Sequence, residues 1–369
     1  MANTKIPVGI LGATGMVGQN YISLLNDHPW FEVRYVAASP RSAGKKYSEA
    51  VAGRWQLAKT YAPHVGDLIV QDANDVKRAF MALDRGECSF VFSALEMGKD
   101  ETRILEEAYA SAGIPVISNA SAHRWTNDVP VLIAEINPEH TNIIPIQKIA
   151  RGWDRGFIVV KPNCSIQSYM EPIHALAKAG YPAQRMIVHT MQAVSGAGYP
   201  GVPSLDMLDN IVPYIGGEEE KSEKEPLKVF GCIENGIIIN AELPKISAHC
   251  NRVPIVDGHT ACVSLEFAEN KPSSMDEIKA IWAAYKGLPQ EADFPTAPKQ
   301  PIYYREEDNR PQPRKDRDID KAMAVVIGRL RPCNVFDIRF VALSHNTVRG
   351  AAGGGILNAE LLKHKGYLG

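Results

Sequence analysis

Residues 6–11, Ile-Pro-Val-Gly-Ile-Leu, form a short apolar run that passes at once into Gly12-Ala13-Thr14-Gly15-Met16-Val17-Gly18. Tyr21, Ile22, Leu24 and Leu25 then recur at helical spacing until Asp27-His28-Pro29 ends the pattern. A strand, a glycine-rich turn and a helix in this order constrain the fold more than any other stretch. Gly12 permits a tight turn, Gly15 lets the backbone approach a pyrophosphate, and Gly18 lets the helix pack closely on the strand. The helix start offers its free amides to the phosphates. The alternative is a glycine turn that binds nothing, and the rest of the chain has to decide.

The next strand, Phe31 to Ala37, leads into Ser39-Pro40-Arg41-Ser42. An acidic residue here accepts hydrogen bonds from the ribose of NAD. None is present, and Ser39, Arg41 and Ser42 supply donors and a positive charge suited to the 2′-phosphate of NADP. Alternating elements follow: a strand at 68–71, a helix at 72–83 capped by Asp72, and a strand at 90–92. The last of these ends in Ser93-Ala94-Leu95, where ligand-facing residues belong. A helix at 100–112 and a strand at 115–118 complete the series. Such alternation predicts a parallel sheet with right-handed crossovers. The first domain is therefore a Rossmann-like unit over residues 1–150, completed by a small-residue turn and helix at 346–369.

At 369 residues a second domain is expected, at 151–345. Residues 186–194, 235–241 and 260–268 are β-rich with few long helices between them, which predicts a mixed or antiparallel sheet in an α+β domain. Residues 287–315, rich in proline and charge, read as a long arm, and Glu218 to Lys221 reads as a solvated helix face. A net charge of −2 gives no basic excess for nucleic acid or anionic membrane. No apolar run is long enough to span a bilayer, and no signal-peptide pattern opens the chain. The six cysteines form no CxxC pair, so neither a zinc site nor a disulfide framework is indicated, and a reducing cytoplasmic setting is expected.

One of those cysteines stands apart. In Val160-Lys161-Pro162-Asn163-Cys164-Ser165, a β-branched strand is stopped by Pro162 and turned by Asn163, and the residues from Ser165 are compatible with a helix. A sulfur at such a helix start is favoured as thiolate; otherwise Cys164 is an ordinary buried cysteine. The cofactor domain weighs for the thiolate. An aldehyde gives up hydride only after a nucleophile has made its carbon tetrahedral, and a cysteine yields a thioester that a second acceptor then cleaves. Of ten histidines, His259 in the turn Val256-Asp257-Gly258-His259-Thr260 feeds a strand and is the candidate acid/base. Arg252, just upstream, offers a fork to a carboxylate.

With these residues in view the chain resembles the aspartate-semialdehyde dehydrogenase family, in the branch found in archaea, fungi and some bacteria. The matching segments run in family order. They are the Gly12–Gly18 turn, Ser118-Asn119-Ala120-Ser121, Lys161-Pro162-Asn163-Cys164, Gln192 to Gly198, Asn251-Arg252-Val253-Pro254 with Gly258-His259-Thr260, and Asn346 to Ala352. The resemblance implies that Cys164 is the nucleophile, His259 the general acid/base, and Gln192 an orienting group for the covalent intermediate. It implies Arg252 on the substrate carboxylate, Glu225 near the amine, and Arg124, Asn163 and Lys228 on the phosphate. Glu218 and Lys221 share the Glu-x-x-Lys spacing and are a rival to Glu225 and Lys228. Gly12, Thr14, Gly15, Met16, Val17, Ser39, Arg41, Ser42, Ser93, Ser195, Gly196 and Asn346 would line the NADP site.

The reaction so implied is the NADPH-dependent reduction of aspartyl phosphate to aspartate semialdehyde, by a homodimer or homotetramer. Ala134, where the family often has proline, and Ile166-Gln167 after the cysteine depart from the usual pattern without removing a catalytic group. The rivals are a malonyl-CoA reductase of the same branch and a catalytically silent NADP-binding regulator.

Overall fold

The computed structural model describes residues 5–369. Six strands, β1 (Ile6–Leu11), β2 (Phe31–Ala38), β3 (Gln71–Asp72), β4 (Phe90–Ser93), β5 (Val116–Ser118) and β6 (Ile158–Val160), form one sheet in the order β3-β2-β1-β4-β5-β6. Every pairing in it is parallel. The last three strands are buried along their whole length, as strands covered on both faces must be. The order reverses between β1 and β4, so a crevice opens at their carboxyl ends. Gly12 stands there with φ +76°, and a Cβ on it would lie 2.2 Å from the Ala94 carbonyl oxygen. A Cβ on Gly18 would lie 2.3 Å from the Gly12 carbonyl oxygen. Both glycines are therefore required by close backbone approach.

The helix cap predicted at Asp72 is made three residues later: Asp72 ends in β3, and the Asp75 carboxylate accepts from the Arg78 amide. The predicted boundary at residue 150 falls inside the first unit, because β6 still pairs with β5 and hands the chain over only at Lys161. The helix Gly353–His364 returns to the parallel sheet, where Ile356, Ala359 and Leu362 join the core around Ile10, Phe31 and Phe92. Gly355 allows that packing, since a Cβ there would meet the Tyr21 hydroxyl at 2.0 Å.

The second sheet is mixed. Its strands are β7 (Ala183–Gln192), β10 (Lys245–Arg252), β11 (His259–Phe267), β12 (Ile302–Arg305), β13 (Val325–Pro332) and β14 (Ile338–Ser344), in the order β10-β7-β11-β14-β13-β12. A separate hairpin joins β8 (Cys232–Glu234) to β9 (Ile237–Ile239). The predicted arm at 287–315 is not featureless: Ile302–Arg305 leaves the proline-rich stretch to pair in parallel with β13 at the sheet edge, where lost ladder donors are tolerated. Helix Glu218–Val229 packs along β10, and Glu218 on it is buried, so the acidic run is not simply a solvated face. No helix among the described residues is long and apolar enough to cross a membrane.

One polar group sits deep under the crevice. Glu106, on the helix Lys99–Ser111, is fully buried and accepts from the Ser118 hydroxyl at 2.6 Å at the end of β5. Burial, opposed by the Ser118 hydrogen bond, pushes its carboxyl up to about 7. Folding thus favours the protonated acid. The stabilisation is complete below the ordinary carboxyl range and is lost as pH rises from that range through about 7. Glu106→Gln keeps a neutral hydrogen-bonding group and removes the titration, so its stability relative to wild type should rise between about pH 5 and about pH 8. Urea midpoints at the two pH values check this, and a difference independent of pH would contradict it.

Candidate active site

The turn after β6 brings the two sheets together. The Lys161 amide donates to the Ser118 carbonyl at 2.8 Å, which fixes the strand end. Cys164 follows in a tight turn, and its neighbours do not form the predicted helix start. Ile166–Ser168 is a single 3₁₀ turn, and the α-helix begins only at Met170, with Pro172 in its first turn where a missing N–H costs nothing. The cause is Asn163, whose Oδ1 accepts from both the amide and the hydroxyl of Ser165, at 2.8 and 2.6 Å. The amide expected to favour a thiolate is thus already engaged.

Cys164 Sγ lies 3.3 Å from His259 Nε2. His259 is the first residue of β11, opposite Ser344 at the end of β14, and is fully buried. The Ala193 amide donates to His259 Nδ1 at 3.0 Å. Nδ1 is therefore the bare nitrogen, and the neutral ring carries its proton on Nε2, facing the sulfur. Burial, helped by the Arg252 guanidinium, pushes His259 down to about 3, so the ring stays neutral near neutral pH. In this geometry His259 is a donor to sulfur. Arg252 Nη1 donates to the Ala193 carbonyl at 2.7 Å, while its Nε and Nη2 have no protein partner among the described residues. Gly196 gives both groups room, since a Cβ there would lie 2.8 Å from Arg252 Nη1 and 3.2 Å from the His259 ring.

Cys164 opens on a cavity of about 430 Å³ lined also by Asn163, Ser195 and Gly196 among others, whereas the buried His259, Arg252 and Gln192 are not part of its lining. Met16, Val17 and Asn346 also line it. Asn346 donates to the Ser195 hydroxyl at 2.8 Å and accepts from the Gly258 amide at 2.8 Å, tying three loops into one rim. A second cavity, about 240 Å³, lies along the glycine turn and is lined by Gly12, Thr14, Gly15 and Ser39. Glu96 borders both, so one path runs from the end of β2 to the sulfur. The glycine cradle and the donors at its far end fit a dinucleotide carrying an extra phosphate.

Several predicted residues stand elsewhere. Arg41 is exposed, Ser42 is buried in the following turn, and neither lines the second cavity; Arg54 does, after the short helix Tyr47–Ala50. Ser93 is fully buried one residue short of the crevice, which Ala94 and Leu95 line instead. Glu225 and Lys228 do not line the cavity. Glu225 accepts from Arg124 Nη1 at 2.9 Å and from the Asn163 amide at 2.6 Å. Lys228 Nζ donates to the carbonyls of Arg124 and Thr126, at 2.9 and 2.7 Å.

The cavity holds Glu218 and Lys221, two helical turns earlier. Glu218 accepts from Asn163 Nδ2 at 2.9 Å, Gln192 Nε2 at 3.2 Å and Lys221 Nζ at 2.7 Å. Burial works against its charge, yet Lys221, Asn163 and Gln192 outweigh it and hold the carboxyl below its ordinary value. Arg124 also borders the cavity, with Nε on the Lys161 carbonyl.

Residues 7–144 match the family model described as semialdehyde dehydrogenase, NAD binding domain, and residues 173–349 match semialdehyde dehydrogenase, dimerisation domain. The chain belongs to the semialdehyde dehydrogenase family. Relatives named aspartate-semialdehyde dehydrogenase include one from Archaeoglobus fulgidus, 46% identical over 97% of this chain and 98% of that one. Another, from Schizosaccharomyces pombe, is 44% identical over 98% and 99%. The crystal structure of aspartate semialdehyde dehydrogenase with NADP from Candida albicans superposes with TM-score 0.88 at 39% identity, covering 99% of this chain and all of that one.

Within this semialdehyde dehydrogenase the two Glu-x-x-Lys pairs differ in their surroundings. Loss of Lys228 strands two carbonyls in the interior, at about 1–3 kcal/mol, whereas Lys221 faces the cavity. Lys228→Met should lower the melting temperature, with residual activity falling only in step with folded protein. Lys221→Met should lower the melt less than Lys228→Met does and cut turnover at least about ten-fold, the scale of one lost charge-assisted hydrogen bond. The reverse pattern would contradict the assignment.

Proposed function

We propose that the chain is an NADP-dependent aspartate-semialdehyde dehydrogenase, reducing aspartyl 4-phosphate to aspartate 4-semialdehyde in the biosynthesis of lysine, threonine, methionine and isoleucine. The observation that carries this is the 3.3 Å approach of Cys164 Sγ to a neutral His259 Nε2, at the end of a cavity that continues into the glycine cradle.

The Cys164 thiolate attacks the acyl carbon, the carbon–oxygen bond to phosphate breaks, and the electron pair leaves with phosphate. NADPH, when bound, supplies the hydride that takes the resulting thioester to the aldehyde level. The carbon–sulfur bond then breaks and its electron pair returns to sulfur. His259 Nε2–H donates to the carbonyl oxygen while it bears charge and to the sulfur as it leaves. This narrows the acid/base role to that of a donor, because Nδ1 is already occupied by the Ala193 amide.

Arg252, with two guanidinium nitrogens unpartnered, takes the substrate carboxylate, and Glu218 the amine. Arg124, Asn163 and Lys221 hold the phosphate. With both anionic ends anchored, the acyl carbon is held over the sulfur, which is the entropic share of catalysis. Gln192, bonded to Glu218, orients the acyl group. For the cofactor, Gly12, Thr14 and Gly15 receive the pyrophosphate, Ser39 and Arg54 the 2′-phosphate, and Met16, Val17, Ser195, Gly196 and Asn346 flank the nicotinamide end. The match to a dimerisation domain supports a homodimer or homotetramer as the working form, and the free cysteines suit the cytoplasm.

A substrate panel tests the proposal. Aspartate semialdehyde with phosphate should drive NADP reduction, with NAD used far less well, and malonyl-CoA should not oxidise NADPH. Cys164→Ser should lower the first rate by orders of magnitude. Turnover of malonyl-CoA, or near-normal turnover by the serine variant, would overturn it.

A further inference from the structure

Whatever stabilises the Cys164 thiolate, it is not an imidazolium. The Ala193 amide holds His259 Nδ1 as an acceptor, so the ring is neutral and gives sulfur one hydrogen bond but no charge. Nor is a regular helix start available at residue 164. Cys164 has one side open to the cavity and protein on the others, and that enclosure pushes the thiol up, with the Glu218 carboxylate adding to it. An anion here needs a cation close by.

Lys161 is the group so placed. It is 2% exposed, yet it lines the same cavity as Cys164. Its Nζ donates to the Pro162 carbonyl at 2.6 Å and also to the Gly350 carbonyl. Both acceptors belong to the walls of the cysteine: Pro162 is two residues before it, and a Cβ on Gly350 would lie 2.8 Å from the Cys164 Cβ. Among the described residues Lys161 forms no ion pair with a carboxylate. Arg124, by contrast, shares its charge with Glu225 and also bonds two carbonyls. The buried Lys228 is anchored in the same manner but faces away from the cavity.

We propose that Lys161 is the positioning residue whose ammonium supplies the positive charge opposite the Cys164 thiolate. The proposal rests on the reading of Cys164 as nucleophile. The two carbonyls fix the ammonium without neutralising it, so its charge lowers the cost of forming the thiolate. Burial first, then Arg124, pushes Lys161 down to about 7, while Cys164 and Glu225 raise it and Arg349 lowers it further. Burial thus disfavours the charge on each group, and each charge is less costly in the presence of the other. Around the sulfur, Glu218 opposes the thiolate while Arg124 and Arg252 assist it from other elements.

The test is the pH profile of alkylation at Cys164 by iodoacetamide, read on the Cys164 peptide by mass spectrometry because Cys232 and Cys262 are exposed. Lys161→Met should move the midpoint upward by a unit or more, so that alkylation near neutral pH falls about ten-fold or more while the alkaline plateau is kept. Lys161→Arg, which retains charge, should restore part of the shift. A folded methionine variant whose profile superimposes on wild type would overturn the proposal.

Should that variant fail to fold, the wild-type protein labelled with [ε-¹³C]lysine gives the reciprocal reading. The Lys161 ammonium should titrate at lower pH once Cys164 is carbamidomethylated, and an unchanged titration would overturn the proposal equally. Turnover of Cys164→Ser is measured alongside. Full activity there would remove the functional reading itself, whereas a dead serine variant with unshifted lysine and cysteine profiles would remove only the role of Lys161.

Discussion

The contact between Gly350 and Cys164 is the constraint on which the site depends. Cys164 leaves the last strand of the parallel sheet, and Gly350 lies in the turn Val348–Ala352 between the last strand of the mixed sheet and the returning helix. With no side chain at 350, the two backbones meet closely enough to set the sulfur against the start of β11. The pairing of His259 with Ser344 then fixes how far the imidazole reaches. A displacement of either sheet would open the 3.3 Å approach of sulfur to Nε2. Arg349, beside this glycine, is buried and ion-paired with Glu135 and Glu171 at 3.1 Å each, anchoring the turn in the core. Such a buried triad is poor evidence for net stability, but removing one member would leave charge unpaired, so it holds the turn in one place.

The electrostatics follow from that geometry. Protein surrounds the sulfur on most sides, which disfavours a thiolate, and the neutral histidine offers a hydrogen bond rather than a charge. Positive charge is supplied instead by groups with separate backbone anchors: Lys161 on Pro162 and Gly350, Arg252 on Ala193, and Arg124 on Asn119 and Lys161. Each anchor uses part of the cation's hydrogen-bonding capacity and leaves its charge. Of the two carboxylates at the cavity, Glu96 and Glu218, the latter is held by three donors and so remains an anion able to meet a substrate ammonium.

Much of this was legible in the chain because the signals are local. The glycine turn after β1 carries its own conformational reason, and alternating apolar runs specify the parallel sheet. What the sequence left ambiguous was decided by tertiary packing. Glu218 and Glu225 are seven residues apart on one helix, a spacing that rotates the side chain by only about 20°. Both therefore reach Asn163, one through its side chain and one through its amide, and only the position of the cavity distinguishes them. Ser93 missed the crevice by one residue, the period at which a strand changes face. Arg54 lay beyond a short helix that no pattern singled out, and Ile302–Arg305 was masked by surrounding prolines. Lys161 was visible as a letter in a motif, but one of its two carbonyl partners comes from Gly350, far along the chain.

The central claim is that Cys164 carries the acyl group. The most direct measurement is intact and peptide mass spectrometry of the enzyme mixed with aspartyl phosphate in the absence of NADPH. An aspartyl adduct confined to the peptide bearing Cys164, discharged on adding NADPH, is the predicted result. An unmodified Cys164, or an adduct on any other residue, would contradict it.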